Sequence, residues 1–586
     1  MILEALDRIS ARFFHCVSDA CEIKGFEKTD VKDVNAVGSA PSRLYRWALR
    51  WQDQGFWFKL GRRVFQGFLN SSVSDIGVFL ILWGTVELAW CGMLFHSLSI
   101  WSLIRILSAS VLLHNSRSCG NCMKKSLFFR WLLFDFCNLS EAAFESDRRQ
   151  RTSALLWGVL GGLAGILGGW ISPEVVSAFF AGGVAVPLFF AVPELFFTIL
   201  LFVFPFFNLL PHPTWGLLSA ILLCGLTCLG KAVCGKRQIE WGRSDAFVFL
   251  LGVLYGMSGI ISYGSVEDGL LRAFLMLSGW FFTRLLLSAP RWRRRAFLSL
   301  IASSFICAVL GIFEYVTGNA TLGWVDISRF GDIGGRVCSV FSNPNILAVF
   351  LLLTTILPLA GCFQNRDVCA KWGAFLVFFA VSACLLLTWS RGAWLAWLVA
   401  VFLFLASCSY RSFSILMLVV TLAVGAIPHL PSPVIRRFQS IGNLADTSAG
   451  YRVNTWRGVL RMLKEHPWGI GCGESAFRRV FPWYAVSGTE GVMHPHQAFL
   501  EVFSQLGVIG LLLFLLILWR LLSQFFFFCK RTPQGQLRSE GVSLFCGLIG
   551  ALVMGLFDSL WYHHGLFWLF WVLFASWENL QREGKI

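Results

Sequence analysis

The sequence predicts an all-α polytopic membrane protein with about 14–16 transmembrane helices. Three observations predict it. Over 586 residues the chain is 56% hydrophobic and only 14% charged, more apolar than a water-soluble domain of this length needs. Apolar runs of roughly 17–25 residues recur along it, the length that crosses the hydrocarbon layer as a helix. These runs are continuous rather than alternating, so the backbone is satisfied within helices and not by a closed barrel.

Taken in order, spans are expected over 74–96, 98–115, 153–171, 174–191, 193–209, 214–231, 244–263, 268–288, 296–315, 345–362, 371–388, 391–408, 412–429, 496–522, 541–558 and 561–578. The second is the weakest: it carries Arg105 and reads equally as an interfacial segment. Residues 1–72 are mixed in charge and lack the apolar core of a secretory leader, so they are expected in the cytoplasm. Residues 73–192 form a group of N-terminal membrane helices, 193–578 a larger membrane domain with a polar segment at 430–495, and 579–586 a cytoplasmic tail.

The net charge of +16 does not indicate a nucleic-acid partner. Its Lys and Arg residues cluster in short stretches between apolar runs, the positive-inside pattern, and no basic, aromatic-interleaved soluble module is present. With Lys124–Arg151, Lys231–Arg243, Arg291–Arg295, Arg366–Lys371 and Lys530–Arg538 on the cytoplasmic side, the spans thread without conflict. Four connections then fall together on the extracytoplasmic side: 316–344, the tip at Ser390-Arg391, the segment 430–495, and the tip at Asp558–His564. The 18 cysteines lie mostly inside apolar runs or cytoplasmic loops. Cys119 and Cys122 have CxxC spacing, but no second pair accompanies them, so no zinc site is expected.

Within 430–495, residues 451–465 place Val453, Trp456, Val459, Leu460 and Leu463 at helical spacing, and His466-Pro467 closes that helix. Gly469-Ile470-Gly471-Cys472-Gly473 then forms a tight turn. The helix reads as amphipathic, lying over the membrane face. Phe481, Trp483 and Tyr484 suit either sugar stacking or headgroup anchoring, and sequence does not separate the two.

The chemistry-bearing residues sit at the mouths of spans. Arg391 occupies the junction of two spans, on the side where basic residues are scarce, and its planar fork suits bidentate phosphate binding. Arg452 is expected at the start of the amphipathic helix, where backbone amides also favour anions. His496 follows Pro495 and is expected in the first turn of the next helix, as a general base. His494 is two residues away, but no carboxylate at fixed spacing completes a metal site, so no metal or other cofactor is expected. Arg336 is a third cation on that side. Asn343 and Pro344 have the chemistry of an N-cap and first helical position, with Asn345 beside them. Asp558 closes the last hairpin with Trp561, Tyr562, His563 and His564, placed to orient His496 or to pair with an arginine. For each of these a blander reading stands: a snorkelling arginine, a helix cap, a satisfied structural histidine.

Taken together, these residues resemble the O-antigen ligase and O-antigen polymerase superfamily of GT-C membrane glycosyltransferases. Ser390-Arg391-Gly392 is similar to the family's arginine at a helix junction. Tyr451-Arg452 to Trp456, followed by Pro467-Trp468-Gly469-Ile470-Gly471, is similar to its large extracytoplasmic loop. His496-Gln497, nine residues and then Gly507-Val508-Ile509-Gly510 is similar to the ligase signature. The resemblance covers residues 193–578 and implies the family's twelve-helix core.

The resemblance implies metal-independent transfer of a glycan from undecaprenyl pyrophosphate to an acceptor hydroxyl on the extracytoplasmic face of the inner or plasma membrane. The acceptor would be a glycan, lipid or protein, and no nucleic acid takes part. Arg391 and Arg452 would hold the diphosphate and His496 would take the acceptor proton. Arg336, Asn345, Trp456, His494 and Asp558 are expected to line the substrate. A polymerase of the same superfamily is the alternative. A transporter or flippase of lipid-linked sugars is the rival from another class, but no internal repeat is visible and the charges lie at a face, not at mid-depth. An intramembrane hydrolase is disfavoured because no GxSxG elbow surrounds Ser390 or Ser504.

Overall fold

A computed structural model describes residues 66–95, 100–113, 116–130, 134, 153–170, 192–233, 241–261, 263–321, 335–364, 367–408, 413–415, 417–418, 421–422, 434–435 and 447–583. The expected span 174–191 and most of 412–429 lie outside these residues. The molecule is an all-α polytopic membrane protein. Among the described residues seven helices are long and apolar enough to cross a membrane, and shorter apolar helices accompany them. The chain divides into two compact units, Met1–Phe196 with Leu229–Lys236, and Phe197–Cys228 with Arg237–Ile586.

In the first unit α1 (Val73–Phe95) packs against α2 (Ile100–Leu112) and α5 (Ala154–Trp170), with the short α3 (Cys119–Lys125) and α4 (Leu127–Arg130) between. α1 carries the fully buried Glu87, which would be costly in an apolar setting without partners. It accepts from Trp83 Nε1 at 2.9 Å, Ser102 Oγ at 2.5 Å and Arg105 Nη1 at 2.6 Å. Arg105, the residue that made 98–115 read as interfacial, is therefore spent inside the helix packing, over the Trp83 ring.

The second unit begins within α6 (Pro193–Val203) and takes in most of α7 (Pro213–Val233). It continues through α8 (Arg243–Ile261), α9 (Val266–Leu286), α10 (Pro290–Val316), α11 (Pro344–Thr355), α12 (Leu357–Gln364), α13 (Val368–Leu387) and α14 (Arg391–Cys408). After α15 (Thr447–Glu465) and α16 (Glu474–Val480) come α17 (Ala498–Arg531), α18 (Gln536–Met554) and α19 (His564–Glu583). The last helix is the centre of this unit. Every residue from Gly565 to Gln581 is buried, including Trp568, Trp571 and Trp577, and the helix packs on α9 and α18.

The end of α19 away from His564 is tied by charge. Asp245 of α8 accepts from Trp280 Nε1 at 2.8 Å, Arg284 Nε at 3.0 Å and Arg582 Nη2 at 2.9 Å. Arg284 also reaches Asn579, and Arg293 reaches Glu583. One expectation is corrected here. Arg291–Arg295 are not loop charges: α10 starts at Pro290, and Arg293 and Arg295 are buried. Residues 579–583, expected in the tail, form the last turn of α19, and Asn579, Arg582 and Glu583 join this network.

α17 is not one straight helix. Gly507 adopts φ +67° and breaks it. The turn after α15 enters the break: the Ile470 N–H donates to the Ser504 carbonyl at 2.7 Å, and the Val508 N–H to the Pro467 carbonyl at 2.9 Å. The backbone groups released by the break thus find partners, as they must at a membrane helix. A Cβ at Gly507 would stand 2.3 Å from the Trp468 carbonyl carbon, so only glycine lets the two backbones approach.

Candidate active site

The site is assembled from five chain segments of the second unit. α13 ends at Leu387, and Trp389 at φ +52° turns the chain so that α14 opens on Arg391. A left-handed tryptophan is a costly conformation of the kind that clusters at functional sites. The Asn343 side chain caps α11 by accepting from Asn345 N at 2.8 Å. This leaves the Asn345 amide to bridge, accepting from Arg336 Nη2 at 2.7 Å and donating to Asp558 Oδ2 at 3.0 Å. Arg336 also donates from Nε to the Thr388 carbonyl at 2.7 Å, which fixes its guanidinium beside the α13–α14 junction.

Arg336, Arg391 and Arg452 line one cavity of about 50 Å³ with Asn345, Ser390 and Gly392, floored by Met554 and Phe557. Among the described residues no carboxylate lines it. Arg452 enters from α15, which starts at Thr447 and not near 451. The arginine therefore stands in the second turn, and its contribution is the guanidinium alone, without the first-turn amides the sequence reading assigned beside it.

Asp558 sits at the rim. Its Oδ1 is 3.3 Å from His496 Nδ1, and its Oδ2 is 3.8 Å from Arg452 Nη2. Burial works to raise this carboxyl, but the His496 hydrogen bond and the Arg452 charge outweigh it and hold it well below the usual carboxylate range.

His496 lies outside the helix it was expected to open. α17 begins at Ala498, with the Gln497 side chain as its N-cap accepting from Leu500 N at 2.5 Å. His496 is in the left-handed region at φ +53°, and its N–H donates to His494 Nδ1 at 3.3 Å. The Ala498 N–H donates to the Gly555 carbonyl at 2.7 Å, which pins this helix start against the turn carrying Asp558.

The His494 ring lies 4.1 Å from that of His496 and 4.7 Å from Tyr562. Burial, reinforced by His496, pushes its imidazole down to about 4. His494 lines a second cavity, of about 390 Å³, with Asp268, Arg272, Glu474, Glu501, Tyr562 and His563 among its walls. The structure thus gathers Arg336, Asn345, Arg391, Arg452, His494, His496 and Asp558. It does not bring Trp456 to either cavity; that residue lies one turn beyond Arg452, half-buried on α15.

The buried pair Arg272–Glu501, 3.3 Å apart, was missed. Arg272 also donates to the Trp561 carbonyl at 2.8 Å. The signal was present: an arginine inside the span 268–288 and an acid inside 496–522 are each expensive unless matched.

No curated protein matches the chain. Residues 376–515 match the family model described as O-antigen ligase. That stretch holds Arg391, Arg452 and His496, so the likeness to the O-antigen ligase family falls on the segment that supplies two arginines of the cavity and the histidine beside Asp558.

Proposed function

We propose that this chain is an integral membrane glycosyltransferase that moves a glycan from undecaprenyl pyrophosphate to an acceptor hydroxyl on the extracytoplasmic face. The observation that carries the reading is the convergence of Arg336, Arg391 and Arg452 on one cavity, with the Asp558–His496 pair at its edge. Fixed guanidiniums suit a diphosphate leaving group, which gains negative charge as its bond to the sugar breaks. The 3.8 Å contact between Arg452 and Asp558 is long enough for Arg452 to exchange the carboxylate for a phosphate oxygen.

In the reaction the acceptor oxygen attacks the anomeric carbon and forms the new C–O bond. The bond from that carbon to the diphosphate oxygen breaks, and its electron pair leaves with the undecaprenyl diphosphate. The acceptor proton goes to His496. With Nδ1 donating to Asp558, the neutral ring keeps Nε2 as its basic nitrogen, and Asp558 stabilises the imidazolium that forms. The leaving group needs no protonation, and the guanidiniums meet the charge that develops on it. The acceptor of a ligase and that of a polymerase differ, and this donor chemistry serves both.

The test is reconstitution of the full chain with an undecaprenyl-pyrophosphoryl glycan and candidate glycan, lipid and protein acceptors. Transfer by the wild type and its loss in Arg391→Ala and His496→Ala, at equal membrane levels, is expected. Undiminished transfer in either variant removes the mechanism.

A further inference from the structure

We propose that the cavity of about 390 Å³ receives the acceptor, and that its walls select an uncharged or amine-bearing sugar over a phosphorylated one. The inference rests on reading the arginine cavity as the donor site.

Position is the first argument. A line of polar groups runs from one cavity to the other. Asn345, in the arginine cavity, donates to Asp558 at 3.0 Å. Asp558 meets His496 at 3.3 Å, and the His496 ring lies 4.1 Å from His494, which lines the larger cavity. The general base therefore stands between the two spaces, as a reaction joining a donor in one to a hydroxyl from the other requires. His494 can also position that hydroxyl. Its Nδ1 accepts the His496 N–H, so the neutral ring carries its proton on Nε2 and has a donor to offer.

The second argument is charge. Among the described residues the larger cavity is lined by three carboxylates, Asp268, Glu474 and Glu501, and one guanidinium, Arg272, while Arg478, outside the lining, pairs with Glu474 from the same helix. The Arg272 guanidinium is already committed to Glu501 at 3.3 Å and to the Trp561 carbonyl at 2.8 Å, and lies over the Phe567 ring. Among the described residues, a phosphate entering here meets carboxylates, and the one guanidinium in the wall is already paired. Sugar hydroxyls and ammonium groups are donors, and carboxylates accept from both. Phe207 and Tyr562, also in the wall, offer aromatic faces for the sugar's C–H side. The volume is within the roughly 300–1,000 Å³ usual for small-ligand sites.

The experiment measures binding of three alkyl glycosides to the full chain in detergent with no donor present: an N-acetylhexosaminide, an aminohexoside and a hexoside 6-phosphate. Thr214, at the half-buried rim, is replaced in Thr214→Trp to fill the space; Glu474→Gln, on the short α16, is the milder change. The first two glycosides are expected to bind the wild type about tenfold or more tighter than the phosphorylated one, a gap of roughly 1.4 kcal/mol or more. Thr214→Trp should abolish that binding, and Glu474→Gln should narrow the gap. Equal binding of the phosphorylated glycoside, binding that Thr214→Trp leaves intact, or no glycoside binding by the wild type overturns the proposal. Donor binding, measured separately with and without Arg391→Ala, reports on the arginine cavity alone. If Thr214→Trp weakens donor binding while glycosides still bind, the space holds the donor's glycan and the inference fails while the donor reading stands.

Discussion

His496 is held by groups that lie on either side of it in sequence. Asp558, 62 residues further on, meets its Nδ1, while His494 takes its backbone N–H and Tyr451 sets its ring edge-on at 6.3 Å. A base so oriented is expected to contribute about 10²–10⁴ in rate, so His496→Ala should lower transfer by that factor in the reconstituted assay. Asp558→Asn keeps the shape but removes the charge that favours the imidazolium; it should cost at least tenfold in kcat with little change in donor affinity, by roughly the worth of one charge-assisted hydrogen bond. Loss of Arg391, in Arg391→Ala, should cost about 10²–10³, as for one preorganised contact to a developing anion. The histidines beside the larger cavity give a stability signature. Burial pushes His494 and His563 down to about 4, below their unfolded values near 6.5. The unfolded chain therefore binds more protons between those limits, so their contribution is complete above pH 6.5 and is lost as pH falls towards 4. The contacts of His563 agree with a neutral ring: Nδ1 accepts Leu566 N–H at 3.3 Å and Nε2 meets Asn208 Oδ1 at 3.1 Å, an arrangement a doubly protonated ring cannot keep. The thermal midpoint should fall between pH 7 and pH 5, and less steeply in His563→Gln; an unchanged slope in that variant contradicts the assignment.

At the scale of elements, the break in α17 decides where His496 stands. The piece before Gly507 carries the Gln497 cap and the Ala498 contact to Gly555; the piece after it runs on through the unit. Gly507→Ala puts a Cβ into the left-handed region, at about 1–3 kcal/mol, and against the Trp468 backbone. It should lower the thermal midpoint and also turnover, because the docked turn at 467–470 and the histidine end of α17 shift together. A stable variant with full turnover would separate the break from the site. Helix existence was readable from hydropathy, since α1 and α14 lie within two residues of the expected 74–96 and 391–408. The break was not: Gly507-Val508-Ile509-Gly510 is visible in sequence as a motif, but the backbone it admits comes from residues 467–470.

At the scale of the whole second unit, charge is sorted by end. Around Asp558 lie the arginine cavity and the histidines; at the other end of α19 lies the Asp245 network. Asp245→Asn leaves Arg284 and Arg582 without their shared carboxylate, and removing one partner of a buried pair costs about 3–5 kcal/mol. It should depress the thermal midpoint while leaving the affinity for donor unchanged. The topology is testable on the same object. Trp483 is 86% exposed beside α16, and a cysteine there, in Trp483→Cys, should add labelling by a membrane-impermeant thiol reagent from outside intact cells. Added labelling only in inverted vesicles would reverse the proposed orientation.

Hydropathy and helix signals are local, so the existence of most described membrane helices, the Asn343 cap and the place of Arg391 at the mouth of α14 were legible from composition and spacing. Contacts between residues far apart in the chain were not. For Asp558 the sequence offered His496 or an arginine, and the packing brings it both; the Asn345 bridge between Arg336 and Asp558, the Arg272–Glu501 pair and the burial of α19 depend wholly on how helices pack. An apolar run specifies that a helix forms but not which neighbours cover it, and a polar side chain in such a run specifies that a partner is needed but not which one. The neighbours and partners follow from the packing of the helices against one another, because burial removes water as the alternative for every polar group inside.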